Sequence, residues 1–146
     1  RVAPEVFFDA GIGDLFVVRV AGNTISAANY GVMGSLEYAV AVLKVPLLMV
    51  MGHENCGAVD AAIKTIHADT ELPGSIESLV EAIRPAAREA KGQAGDGLHN
   101  AIVANVKLTT TRLTKQSGIL EEAVSKGQLK IVGSVYDLKS GAVKLV

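Results

Sequence analysis

Short runs rich in Val, Leu and Ile alternate along this chain with longer stretches in which apolar residues recur every three or four positions. The first pattern marks a strand, the second a helix with one buried face. Residues 15–20, Leu-Phe-Val-Val-Arg-Val, form the first strand-like run, and Gly22-Asn23 turns the chain after it. Residues 34–44 place Leu36, Ala39, Val40 and Leu43 at helical spacing, with Ser35 positioned to cap that helix and Pro46 to stop it. The wholly apolar run at 47–51 predicts a strand buried on both faces. Helical patterns follow over 56–66, 75–91, 98–116 and 118–126. Pro and Gly interrupt the pattern at 69–74, Pro85 is expected to kink or split its helix, and 92–97 reads as a turn. Strands at 129–136 and 142–146, joined through Lys139-Ser140-Gly141, complete the pattern.

Strands alternating with helices predict an α/β fold. The expectation is one domain over 1–146, a mainly parallel sheet flanked by helices. Residues 47–51 should lie near the centre of the sheet and the 129–146 pair toward one edge. Tyr38 and Tyr136 are expected to cap the core with their hydroxyls hydrogen-bonded.

Composition narrows the partners. Fourteen basic against fifteen acidic residues leave a net charge of −1, so there is no basic footprint for nucleic acid or for an anionic membrane. The longest apolar stretch, 39–51, contains Lys44 and Pro46 and is too short to span a bilayer. With 49% hydrophobic but only 4% aromatic residues, the core must be mainly aliphatic. Cys56 is the only cysteine, which excludes an internal disulfide, fits a reducing compartment and leads us to expect a cytoplasmic protein.

The candidate chemistry sits just past the 47–51 run, in Gly52-His53-Glu54-Asn55-Cys56-Gly57. A strand ending in His-x-x-Cys and feeding a helix aims both groups into the crevice where open α/β sheets bind ligands. Imidazole and thiolate together suit zinc, at roughly 2.0–2.3 Å bond lengths. Two donors alone make a weak signal, because a buried cysteine is commonly inert core.

Further segments strengthen it. Arg1-Val2-Ala3-Pro4-Glu5, residues 13–23, Gly34-Ser35-Leu36-Glu37-Tyr38-Ala39-Val40, residues 52–59 and Gly133-Ser134-Val135-Tyr136-Asp137-Leu138-Lys139-Ser140-Gly141 stand in one order over nearly the whole chain. Together they resemble the β-class carbonic anhydrases. That resemblance implies a zinc enzyme whose metal-bound hydroxide converts carbon dioxide reversibly to bicarbonate and a proton, with His53 and Cys56 as ligands. It also implies a homodimer or homotetramer. Gly22, Asn23 and Gly57 would line the pocket and its turns, and Arg1 would match the arginine of the family's Cys-x-Asp-x-Arg motif.

The matching cysteine and aspartate would precede Arg1 and are absent from the sequence. The expectation is therefore an N-terminally incomplete record. It would lack the third ligand, the aspartate partner of Arg1 and a central strand between 15–20 and 47–51, and the chain as given would be inactive. Two other readings stay open: a hydrolase of carbonyl sulfide or carbon disulfide on the same fold, and a non-catalytic structural relative. His67 and His99 read as surface residues, and Glu54 as solvent-facing.

Overall fold

The computed structural model describes residues 3–26, 30–66 and 72–146. Its sheet has three strands, β1 (Leu47–His53), β2 (Lys130–Tyr136) and β3 (Val143–Leu145), in the order β1-β2-β3. β1 and β2 run parallel over seven register pairs, from Leu47 opposite Lys130 to His53 opposite Tyr136. β3 returns antiparallel over three pairs, Ser134 with Leu145 through Tyr136 with Val143. The fold is α/β with a sheet that is mainly parallel, as the alternating pattern predicts.

Two expectations about the sheet are corrected. Among the described residues, 47–51 lie in an edge strand, and β2 is the central one. No described strand is hydrogen-bonded along the other edge of β1, and along it Leu48, Val50 and Gly52 are buried, Leu47 is exposed and Met49, Met51 and His53 are half-buried. An apolar run reports both faces as suited to burial, whereas the described elements fully cover only one. Residues 15–20 are not a strand either. They form no helix or sheet ladder, and Leu15, Phe16 and Val17 are exposed. A strand exists only where a neighbour accepts its backbone hydrogen bonds, and no described segment lies alongside to do so.

Among the described residues six α-helices accompany the sheet: α1 (Pro4–Phe7), α2 (Tyr30–Ala41), α3 (Gly57–Lys64), α4 (Ile76–Ala90), α5 (Gly97–Gln116) and α6 (Gly118–Ser125). α5 packs across β1 and β2, α4 packs on α5, and α3 packs on both helices. Asp96 starts α5 by accepting hydrogen bonds from the N–H groups of Leu98 and His99. Ser117 caps α6 in the same manner, and its hydroxyl donates to Glu37 Oε1 at 2.7 Å, tying α6 to α2.

The α2 boundary moves from its predicted place. Ser35 lies inside the helix, where its hydroxyl donates back to Gly31 O at 2.7 Å instead of capping. α2 ends ahead of Lys44, whose φ of 58° turns the chain before Pro46. α4 runs through Pro85 without a break. Pro85 and Glu81 are both exposed, so water can reach the carbonyl that proline leaves unpaired. Of the two tyrosines, Tyr38 is exposed and caps nothing. Tyr136 is half-buried, with its ring 4.6 Å from that of Phe7.

The core is aliphatic. Val59, Val80, Ile83, Ile102, Val106, Leu113 and Leu120 are all but fully buried. Each contributes roughly 1.5–3 kcal/mol of burial free energy. α5 lies so close to the sheet that a Cβ built on Gly52 or Gly133 would come within 2.8 Å of a Val106 methyl. That contact sets the depth at which the end of β1 sits.

Candidate metal centre at the end of the first strand

β1 ends at His53, a two-residue turn follows, and Cys56 occupies the N-cap of α3. Asn55 makes the turn possible with φ 56°, a left-handed conformation that asparagine tolerates better than most residues. His53 and Cys56 thus flank one tight turn at the carboxyl end of a parallel strand.

His53 is half-buried, and its Nδ1–H donates to the Glu54 carbonyl at 2.8 Å. That bond commits Nδ1 and leaves Nε2 as the bare nitrogen, the state a metal-binding histidine requires. Cys56 is a buried free thiol that makes no capping hydrogen bond. The open N–H groups of the first turn of α3 give it surroundings suited to negative charge. Among the described residues no group of three or more His, Cys, Asp or Glu side chains could hold a metal ion. The donor chemistry suits zinc, and the described chain brings two donors.

The predicted turn at Gly22-Asn23 reaches the same place. Ala21–Asn23 is a short 3₁₀ turn with Gly22 at φ 68°. A Cβ on Gly22 would lie 2.6 Å from Ile83 Cδ1 and 3.2 Å from the Ala58 Cβ. Asn23 Oδ1 lies 3.6 Å from where a Gly52 Cβ would stand. The turn is therefore wedged against the residue before His53 and the residue after Gly57. Gly57, first in α3, has open space around its own Cβ position, so packing does not demand a glycine there. Arg1 and His67 lie outside the described residues.

Two contributors were not singled out from sequence. Asn105 on α5 is 1% exposed, and its side-chain amide donates to Gly22 O at 2.7 Å, pinning the 3₁₀ turn. Asn105 Oδ1 and Asn23 Nδ2 are buried there without a hydrogen-bond partner. The available signal was a polar residue sharing the buried stripe of Ile102 and Thr109. The second is the pairing of His99 Nδ1 with Glu54 Oε1 at 2.6 Å. His99 is a surface residue as expected, but Glu54 is only 25% exposed and faces His99 instead of open solvent. No local spacing announces a contact between residues 45 apart.

Glu54 and His99 line a shallow cleft of about 200 Å³ together with Asp137, Lys144 and the end of β3. Asp137 accepts from the Lys139 N–H and the Ser140 hydroxyl, both at 2.8 Å, and these bonds hold its carboxyl below its ordinary range. Asp137 thus serves the turn into β3.

Comparison with known proteins identifies the family. The carbonic anhydrase family model matches residues 1–143. Carbonic anhydrase 2 of Mycobacterium tuberculosis is 40% identical over 145 residues, covering 99% of this chain and 69% of that protein. The carbonic anhydrase of Mycolicibacterium smegmatis is 38% identical with the same coverage. Among solved structures, the β-carbonic anhydrase CcaA superposes with a TM-score of 0.83 at 27% identity, covering 99% of this chain and 73% of that one. The Coccomyxa β-carbonic anhydrase, solved with acetazolamide, gives 0.86 at 29% identity, covering 99% and 66%. On the family match, the relatives and the shared fold, this chain belongs to the β-class carbonic anhydrases.

Proposed function

We propose that this chain forms the core of a zinc-dependent enzyme that hydrates carbon dioxide reversibly to bicarbonate and a proton. The observation that carries the reading is the state of His53 and Cys56, set on either side of one turn at the carboxyl end of β1. His53 has Nδ1 committed and Nε2 bare, and Cys56 is buried at a helix start. When bound, zinc would supply Lewis acidity, lowering the pKa of a water toward ~7. The protein's part is to hold donors and pocket. His53 Nε2 and Cys56 Sγ would be two of the ligands. The α3 start would face their charge with N–H groups, and the Gly22-Asn23 turn, pinned by Asn105, would wall the pocket beside Gly52.

The third ligand would come from outside the described residues. A strand seated on the edge of β1 that no described strand occupies would satisfy that edge and deliver a donor beside His53. Arg1 would orient the aspartate that accompanies that donor, a task suited to a planar fork of permanent charge. Exposed Tyr30, Tyr38, Val42, Leu43 and Leu47 favour a homodimer or homotetramer as the working form.

The test is ligand replacement in the protein as its gene encodes it. His53→Ala and Cys56→Ser are each expected to lower bound zinc well below one ion per chain and to abolish hydration. Metal analysis and stopped-flow hydration read the two effects together. Full activity in either variant would sink the assignment.

A further inference from the structure

Glu54 uses three of its groups in three directions. Its N–H donates to Tyr136 O at 3.0 Å, extending the pairing of β1 with β2. Its carbonyl accepts the Nδ1–H of His53 at 2.8 Å. Its carboxylate accepts the Nδ1–H of His99 at 2.6 Å, from the first turn of α5. Asp96 fixes that turn through its bonds to the Leu98 and His99 N–H groups. An unbroken sequence of hydrogen bonds and backbone thus runs from the start of α5 to the His53 ring.

The carbonyl that holds the ring belongs to the peptide joining Glu54 to Asn55. Asn55 adopts φ 56°, a sparsely populated conformation that surrounding contacts must maintain. The orientation of that peptide sets the ring's tilt and which nitrogen keeps the proton. At 46% and 25% exposure, His99 and Glu54 gain little stability from their pairing. What the pair offers is geometry.

We propose that His99 is a positioning residue for His53. By holding the Glu54 carboxylate against α5, it fixes the peptide whose carbonyl orients the imidazole and leaves Nε2 bare for a metal. The use of that nitrogen rests on the zinc reading above, whereas the orientation itself is a property of the metal-free chain.

The two can be tested separately, in the protein as its gene encodes it, with His99→Ala and His99→Asn. An asparagine amide places an N–H close to the position of the histidine Nδ1. Nitrogen-15 NMR of the metal-free protein reads the His53 tautomer. Chelator competition reads zinc affinity, and visible absorption of the cobalt(II)-substituted protein reads ligand geometry. The wild type should show one tautomer, with Nε2 bare. His99→Ala should show a mixture, bind zinc about tenfold more weakly and shift the cobalt bands, while His99→Asn restores all three. A single tautomer with unchanged affinity and bands in His99→Ala would overturn the proposal, as would equal loss in both variants. A wild type that shows the expected tautomer but takes up neither metal would overturn the zinc reading and leave the positioning role supported.

Discussion

Three glycines near the site have different reasons for being glycine, and substitution separates them. At Gly52 an added methyl would stand 2.8 Å from Val106 Cγ2 and 3.2 Å from Ile102 Cγ2, both on buried residues of α5. Gly52→Ala is therefore expected to cost about 1–3 kcal/mol by overpacking. It would also push the end of β1, with His53, away from the helix. Gly22 combines φ 68° with a 2.6 Å approach to buried Ile83, so alanine there should cost at least as much. Gly57 has ordinary backbone angles and open space, and Gly57→Ala should fall within about 0.5 kcal/mol of wild type. Urea unfolding of the three variants checks the order, and a Gly57 variant as damaged as the Gly52 variant would refute it.

At the scale of elements, the short strand β3 depends on the turn before it. Asp137 closes that turn by accepting from Lys139 and Ser140, and its carbonyl accepts the Gly141 N–H at 2.9 Å, with Gly141 at φ 73°. The Lys139 N–H foremost, then the Ser140 hydroxyl, lower the Asp137 pKa. A depressed carboxylate pKa stabilises the folded state fully above the unfolded value of about 3.9. The contribution is lost as pH falls through the lower folded value. The Lys139 amide NMR signal should accordingly titrate with a midpoint below 3.9, and the titration should vanish in Asp137→Asn. A midpoint at or above the ordinary aspartate value would contradict the turn's role.

For the whole molecule, the described residues bring together only the two donors proposed for zinc, His53 and Cys56, and leave one edge of β1 without a described strand partner. Backbone on that edge that no described strand pairs with, together with exposed Leu47 on β1 itself, invites association. The 146-residue chain expressed alone should retain less than one zinc per chain after dialysis, show no measurable hydration and scatter light as dimers or larger species. A monomer with one tightly held zinc and fast turnover would overturn the two-donor account.

Local pattern determined most of the elements. The helices from α3 onward, the strands β1, β2 and β3 and the turn at Gly22-Asn23 follow from periodicity and from Gly, Pro and capping residues, because each depends on neighbours a few positions away. The His-x-x-Cys placement was legible for the same reason, since four consecutive residues fix both its strand end and its helix start. The rest depended on what lies alongside. Residues 15–20 have strand composition but no described partner for their N–H and C=O groups, so composition alone misplaced them. β1 reads as central, yet among the described residues no strand pairs along its second edge, because hydrophobicity states what a face tolerates and not which strand lies alongside. Asn105 with Gly22 spans 83 residues, and His99 with Glu54 spans 45. Those contacts exist only because α5 crosses the end of β1, and packing between distant segments, not the order of residues along either one, decides where that crossing falls.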